Sequence, residues 1–200
     1  MSIVSPHAES SASLLAMWKD VTEAQPSDME RQTVFLGMGS NLGDRRAMLQ
    51  RALDAIGALP QTEVLRCSRI YETAPWGDIA QGPFYNCAAE IRTALAPEPL
   101  LDAIKNIEQE MGRIRTERNG PRIIDVDILF FGSSVLRQDG LVIPHPAMAE
   151  RLFVLIPLHE IAAGFMHPVE QVSIEELLRR CTDTGSVVDT GIGLTVQSQD

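Results

Sequence analysis

The order of strand-like and helix-like segments constrains the fold of this chain more than any other feature of its sequence. Short apolar runs typical of strands alternate with longer segments in which apolar residues recur every three or four positions, as on the buried face of a helix. In chain order these segments are a strand at 33–38, a helix at 44–58, strands at 64–71 and 85–93, a helix at 97–111, a strand at 123–131 and a helix near 149–161. The first six follow the split βαβ order of a ferredoxin-like α+β sandwich. We therefore predict a largely antiparallel sheet with helices on one face, which leaves the other face and its loops free for ligands.

The two ends of the chain differ in composition from the segment between them. Residues 1–30 are rich in Ser, Ala and Glu, so we predict a mobile N-terminal extension there. Residues 182–200 are rich in Thr, Gly and Ser and predict a weakly ordered C-terminal tail. Between them we expect one domain, residues 31–181, with a single fold.

Charge and composition argue against several classes of protein. The formal net charge of −10 disfavours a general nucleic-acid-binding protein, which is usually basic. No apolar run approaches the ~18–20 residues that span a membrane, and the N-terminus lacks the basic and apolar segments of a secretion signal. The three cysteines lie far apart without a CxxC pair, which indicates reduced thiols rather than a disulfide frame or a zinc site. We expect a cytoplasmic protein, a monomer or weak dimer, with no nucleic-acid or membrane partner.

Two acids on one apolar strand carry the strongest chemical signal. Asp125 and Asp127 are the only polar side chains in the run IIDVDILFF, and side chains two residues apart on a strand point to the same side, roughly 6.6 Å apart. Both carboxylates can therefore hold one or two divalent cations. Four arginines lie within ten residues just before them: Arg113, Arg115, Arg118 and Arg122. Metal-holding acids beside phosphate-holding arginines suit phosphoryl transfer, in which positioning and charge neutralisation supply most of the catalysis. A structural ion-pair cluster at the start of a strand is the alternative.

A glycine-rich turn after the first strand does not match a known phosphate loop. The sequence from Gly37 to Gly43 reads GMGSNLG, and Leu42 stands where the dinucleotide-binding GxGxxG pattern requires glycine. The P-loop pattern, GxxxxGK followed by Ser or Thr, does not occur either. We interpret the segment as a tight strand-to-helix turn in which Ser40 or Asn41 caps the helix.

The loop between the second and third strands carries aromatic and amide side chains that suit a planar ligand. Its candidate binding residues are Thr73, Trp76, Gln81, Phe84 and Asn86. Exposed aromatics can stack on a flat heterocycle while amides pair with its polar edge; core packing of Phe84 is the alternative. Phe153 could supply the opposite stacking face, although a phenylalanine in an apolar helix is usually core. The four histidines show no metal-binding spacing, and His145, between two prolines, could contact a phosphate.

Taken together, these motifs resemble one enzyme family. The matching segments are GSNLGD, YETAPWG, FYN, GRIRTERNGPRIIDVDILFFG and IPHP, which span about residues 33–170. They are similar to 6-hydroxymethyl-7,8-dihydropterin pyrophosphokinase, an enzyme of folate biosynthesis. The resemblance implies a ferredoxin-like fold that transfers a pyrophosphoryl group from ATP to the hydroxymethyl group of the pterin and releases AMP.

The resemblance also implies roles for individual residues. Asp125 and Asp127 would bind two Mg²⁺ ions that bridge the ATP phosphates, and with Arg113 and Arg122 they would form the catalytic set. The residues expected at the nucleotide are Glu108, Arg113, Arg115, Arg118, Arg122, Ile128, His145 and Arg151. The residues expected around the pterin, with Phe84 and Phe153 stacked on its two faces, are Thr73, Ala74, Pro75, Trp76, Phe84, Asn86 and Phe153.

Two other functions use some of the same features. A two-metal nucleotidyl transferase of the palm type also sets an acid pair on an antiparallel sheet, but it needs a polymer groove or a third acid. A non-catalytic nucleotide-binding module could share the fold, but it gives no reason for Asp125 and Asp127 to stand beside four arginines. Replacing Asp125 by alanine separates the cases, because a catalyst loses turnover and a binding module changes only its affinity.

Overall fold

The computed structural model describes residues 31–77, 79–114 and 120–197. The described residues form the strands β1 (Gln32–Ser40), β2 (Thr62–Cys67), β3 (Tyr71–Thr73), β4 (Phe84–Thr93), β5 (Asp125–Phe131), β6 (Leu136–Gln138), β7 (Leu141–Ile143) and β8 (Val187–Asp189). Their α-helices are α1 (Arg45–Gly57), α2 (Pro97–Glu110), α3 (Leu152–Ala162) and α4 (Ile174–Arg180), and a 3-10 turn spans Met148–Glu150. The extension predicted at 1–30 lies outside the described residues.

One antiparallel sheet organises the fold. Its strands run in the order β5–β1–β4–β3–β8, and β2 also pairs with β4. Strand β4 holds two partners on one side, because residues 89–93 pair with β2 and residues 84–86 pair with β3. Strands β6 and β7 form a separate hairpin. The succession β1, α1, β2, β4, α2 and β5 confirms the predicted ferredoxin-like α+β fold.

Helix α1 begins at a different cap from the one predicted. The side chain of Asp44 accepts a hydrogen bond from the backbone N–H of Ala47 at 3.0 Å, as an N-cap residue does. The prediction of Ser40 or Asn41 was wrong because Ser40 is the last residue of β1 and Asn41 bonds to two other loops. The helix therefore begins at Arg45, close to the predicted position, and Asn41 is available to the site described below.

Helices cover both faces of the sheet. Helices α1 and α2 pack on a first core that contains Leu36 and Leu53, whereas α3 and α4 pack on a second core that contains Phe35 and Leu155. Neighbouring residues of β1 enter different cores because successive side chains of a strand point to opposite faces. The prediction of helices on one face is therefore corrected. Helix α3 is apolar on almost every side, and a helix of this kind is buried. It leaves one end of the second face of the sheet uncovered.

The C-terminal segment is part of the folded domain. Residues 187–189 form β8 and pair with β3, and the side chains of Ile192, Leu194 and Val196 pack against the first core. The prediction of a weakly ordered tail at 182–200 is therefore wrong for this part of it. Every second residue from 190 to 196 faces inward, as in a strand. The glycines and the threonine between these residues make the pattern hard to recognise in the sequence.

None of the helices within the described residues is long and apolar enough to cross a membrane.

Candidate active site

A cleft opens where α3 stops covering the second face of the sheet. Its floor is formed by Gly37 and Gly39 of β1, whose missing side chains keep the strand surface clear. A Cβ atom at Gly39 would lie 2.5 Å from Oδ1 of Asn86, closer than protein atoms pack. The remaining lining residues are Met38, Thr73, Ala74, Trp76, Gln81, Phe84, Asn86, Cys87, Arg122, Asp125, Asp127, Leu129, Arg151, Phe153 and Val154.

Asp125 is clamped between two guanidinium groups. Nη1 of Arg113 lies 2.6 Å from Oδ1, and Nη1 of Arg122 lies 2.6 Å from Oδ2. The same Nη1 of Arg113 also pairs with Glu108, whose carboxylate accepts the backbone N–H of Val126 at 2.8 Å. Burial raises the pKa of Glu108, and the neighbouring Arg113 opposes that rise. The cluster is therefore close to neutral within itself, and one of its two arginines, Arg122, lines the cleft.

Asp127 faces the cleft on the same side of β5 as Asp125. Its side chain keeps 44% of its exposure, yet the surrounding walls remove enough solvent to raise its pKa, and the negative charge of Asp125 raises it further. Nε2 of His145 lies 4.0 Å from Oδ2 of Asp127. Burial lowers the pKa of His145, against the attraction of Asp127. Nδ1 of His145 is buried and makes no hydrogen bond with the described residues.

The two acids form a donor set that fits Mg²⁺. Magnesium binds oxygen, usually through one or two carboxylates together with substrate phosphates and water rather than within an all-protein cage. Both acids line the cleft, and the described residues hold no group of three or more His, Cys, Asp or Glu side chains that could complete a cage. A metal bound here would therefore need oxygen ligands from another molecule.

Aromatic side chains form the opposite end of the cleft. Trp76 is 41% exposed, and the guanidinium of Arg151 lies over its ring, 4.6 Å from the centroid. The same guanidinium lies 5.7 Å from the ring centroid of Phe153. On the floor, the amide of Asn86 donates a hydrogen bond to Oγ1 of Thr73 at 2.8 Å, which fixes its orientation. This end offers flat apolar surfaces beside an oriented amide.

Asn41 ties the two ends of the cleft together. Its side-chain oxygen accepts the backbone N–H of Arg122 at 2.8 Å, and its amide donates to the side chain of Gln81 at 3.0 Å. The backbone N–H of Asn41 also donates a hydrogen bond to the carbonyl oxygen of Arg122 at 3.1 Å. This role of Asn41 was not predicted from the sequence. The available signal was an asparagine directly after a strand, beside a turn, since its side chain both donates and accepts.

The structure brings most of the predicted residues together, but not all of them. The side chain of Ile128 is buried in the first core, on the face opposite the cleft, because Ile128 alternates with Asp127 along β5. A nucleotide would therefore contact Ile128 only through its backbone, and its predicted role remains a prediction. Pro75 flanks the cleft without lining it, and Glu108 is buried behind Arg113. Arg115 and Arg118 lie outside the described residues, so their predicted roles remain predictions.

The fold and the cleft define a class of protein: a ferredoxin-like domain in which aromatic side chains and an oriented amide adjoin a pair of acids and their arginines. Residues 35–163 match the sequence model of the 7,8-dihydro-6-hydroxymethylpterin-pyrophosphokinase (HPPK) family. The chain is also 45% identical over 151 residues to the 2-amino-4-hydroxy-6-hydroxymethyldihydropteridine pyrophosphokinase of Methylorubrum extorquens, a match that covers 76% of this chain and 94% of that protein. The chain belongs to the HPPK family.

Longer relatives contain a matching segment. The folic acid synthesis protein of Dictyostelium discoideum is 40% identical over 162 residues, which is 80% of this chain and 24% of that protein. The chain thus spans about a quarter of the length of that relative. Among solved structures, a triple mutant of Plasmodium falciparum HPPK-DHPS superposes with a TM-score of 0.61 at 19% identity, over 76% of this chain and 43% of that one. At this identity the likeness supports the fold alone.

Proposed function

We propose that this protein transfers the pyrophosphoryl group of ATP to 6-hydroxymethyl-7,8-dihydropterin, giving the pterin diphosphate and AMP, as a cytoplasmic enzyme of folate biosynthesis. One observation carries the proposal: in a chain of this family, Asp125 and Asp127 face a single cleft between arginines and aromatic rings. The chemistry needs a cation and anion site next to a site for a flat ring, and the cleft supplies both.

The aromatic end is the pterin site of this proposal. Phe84 and Phe153 lie on the lining of the cleft and would stack on the two faces of the ring. Asn86, oriented by its bond to Thr73, would pair with the polar edge of the ring, and residues 73–76 would border it. This arrangement would aim the hydroxymethyl group toward Asp125.

The acidic end is the triphosphate site. Two Mg²⁺ ions held by Asp125 and Asp127 would neutralise charge on the phosphates and on the departing AMP. Arg113 and Arg122, which pair with Asp125 in this structure, would turn to phosphate oxygens once Asp125 binds a cation. Arg151, which lies beside the aromatic rings, would contact an oxygen of the transferred group. The guanidinium groups would then stabilise the charge that develops during transfer.

The nucleoside has room on the far side of His145. A second cavity of about 570 Å³ adjoins that residue and is lined by the β6–β7 hairpin and the following loop, including Arg137, Val142 and Pro144. Its volume falls within the range of small-molecule sites. The phosphates would then pass His145, and a phosphate oxygen could accept a hydrogen bond from its ring. Arg115 and Arg118, outside the described residues, are proposed to bind the triphosphate as well.

The decisive test measures AMP release from ATP and Mg²⁺ with and without 6-hydroxymethyl-7,8-dihydropterin. We expect AMP only when the pterin is present, loss of the product on chelation with EDTA, and its return with Mg²⁺. Asp127→Asn should abolish release, whereas Asp102→Asn, at an exposed acid of α2, should not change it. Formation of ADP would contradict the proposal. A folded chain that turns over no nucleotide would favour a non-catalytic module. Membership of the HPPK family favours neither that module nor a palm-type nucleotidyl transferase.

A further inference from the structure

The segment at 183–197, which we name the C-terminal strap, contacts one wall of the cleft through backbone hydrogen bonds. Its strand β8 pairs with β3, with Val188 opposite Glu72 and Val187 opposite Thr73. The backbone N–H of Ala74 donates to the carbonyl of Ser186 at 3.1 Å, one residue beyond the strand. Because β3 has only three residues, pairing on both of its sides determines where Thr73 and Ala74 lie.

The start of the strap contacts the opposite wall. Oδ2 of Asp183 accepts the backbone N–H of Leu152 at 2.9 Å, at the first residue of α3. No side chain next to the helix start provides this bond, since the N-cap residue Arg151 makes no capping hydrogen bond. A carboxylate at this position also interacts favourably with the positive end of the helix dipole. Asp183 thus secures the helical turn that carries Arg151 and Phe153.

The far end of the strap is anchored on α1. The side-chain amide of Gln50 makes two hydrogen bonds with the backbone of Thr195, both 2.9 Å long. Between the anchor and β8, Ile192, Leu194 and Val196 pack against the first core. An ion-pair network of Arg69 with Asp189 and with Glu160 joins β8 to α3. The strap is therefore held at both ends and along its length.

We propose that the C-terminal strap is a positioning element of the pterin site: it sets the distance between the wall formed by Thr73 and Ala74 and the wall formed by Arg151 and Phe153. The segment that matches the family model ends at residue 163, so the strap lies outside it. The inference rests on the proposed function for its substrate but on the contacts above for its geometry. Asp183 is a positioning residue, which acts on the ligand through α3.

Two variants act on the two walls separately. Val188→Pro removes the amide hydrogen in the middle of β8, and proline breaks such pairing; Val188→Thr is the matched control, because the side chain is 56% exposed and a threonine keeps the backbone bonds. We expect Val188→Pro to raise KM for the pterin by about five- to tenfold, the effect of one or two lost hydrogen bonds, and KM for ATP by less than about twofold.

Asp183→Ala should give a different pattern. Loss of one helix cap should raise KM for both the pterin and ATP by about fivefold, because the same turn carries Phe153 and Arg151. Asp183→Asn, which keeps an acceptor oxygen, should restore most of the wild-type values. Asp102→Ala, an exposed acid on α2 with the same chemical change, should have wild-type constants.

A second readout separates this inference from the proposed function. Hydrogen exchange of the backbone amides should rise at 71–76 in Val188→Pro and at 152–155 in Asp183→Ala, while α2 keeps its protection. This measurement holds whether or not the wild-type chain releases AMP, and inactivity of the wild type refutes only the proposed function. The inference is overturned if the variants lower Tm with unchanged KM values, or if exchange rises equally throughout the domain.

Discussion

Gly39→Ala tests the geometry of the cleft floor with a single methyl group. Gly39 lies within β1 and its backbone has no positive φ, so alanine can adopt the same conformation. The added Cβ would lie 2.5 Å from Oδ1 of Asn86, and this oxygen must retreat by about 0.9 Å to reach an ordinary contact of 3.4 Å. The substitution therefore acts on Asn86 rather than on the strand.

The expected magnitude follows from what holds Asn86. Its amide now lies 2.8 Å from Oγ1 of Thr73, and a displacement of this size takes the pair out of good hydrogen-bonding range. Loss of that bond, together with poor pairing to the edge of the pterin, costs about 1–3 kcal/mol of binding free energy. This corresponds to roughly a 5- to 150-fold rise in Kd for the pterin. ATP binding should be unaffected because Asn86 lies at the aromatic end.

The assay is a direct titration of each variant with the pterin, accompanied by thermal unfolding. Gly37→Ala is the matched control on the same strand. Its Cβ would lie 3.3 Å from Cδ2 of Leu129, the flexible end of a side chain that can move by a few tenths of an ångström. We expect its Kd to stay within about threefold of wild type. Equal pterin affinity in Gly39→Ala and the wild type, or an equal loss in both variants, would refute the reasoning.

Three further predictions concern stacking, charge and pH. Phe84→Ala should weaken pterin binding by about 1–3 kcal/mol with little change in ATP affinity, and titrations that show equal losses for both ligands would contradict the stacking role. Asp125→Asn should strengthen ATP binding in the absence of metal, since it frees two arginines from their counter-ion, and should weaken ATP binding in the presence of Mg²⁺. If calorimetry finds that the ATP affinity changes in the same direction in both conditions, the arginines do not exchange partners in this way. His167 is buried and its Nδ1 accepts two backbone N–H groups, and burial lowers its pKa. As pH falls below about 6.5 the unfolded chain gains this proton first, so stability falls, by at most about 1.4 kcal/mol per pH unit. The drop in Tm from pH 7.5 to 5.5 should therefore be smaller in His167→Asn, and an equal drop would exclude His167 as its source.

The fold was predictable where the signal is local. The apolar periodicity of α1 and α2 and the runs of β1, β4 and β5 are each legible within ten to fifteen residues. Strand β8 was not, since Val187–Asp189 is too short to form alone and exists because β3 offers an open edge. Two missed elements did carry signals: Asp139–Gly140 is a typical hairpin turn, and Ser173 with Glu176 has the spacing of a capping box before α4.

The site divides in the same way. Asp125 and Asp127 were predictable because a costly feature, acids on an apolar strand, marks them within a few residues. Asn41 and Asp183 were not, because each acts on a residue far away in sequence, Arg122 and Leu152 respectively. Only the fold reveals such partners, and each partner is a hydrogen-bonding group that its own helix or loop leaves unsatisfied.

The chain carries a net negative charge, yet its proposed substrate is an anion. The way in which Asp125 is held makes the two compatible. Both of its oxygens are bound to guanidinium groups, so the cluster presents little net charge to solvent. Under the proposed function, a cation that binds Asp125 would release the two arginines, and a triphosphate that binds the arginines would release Asp125, so each ligand would prepare the site of the other. Glu108 would keep Arg113 in place during the exchange, because its own carboxylate is anchored to the backbone of Val126. Binding of metal and nucleotide would then be coupled by electrostatics within one cluster. The remaining charge of the protein would have little influence on this coupling, because exposed charges more than about 10 Å away are screened by salt.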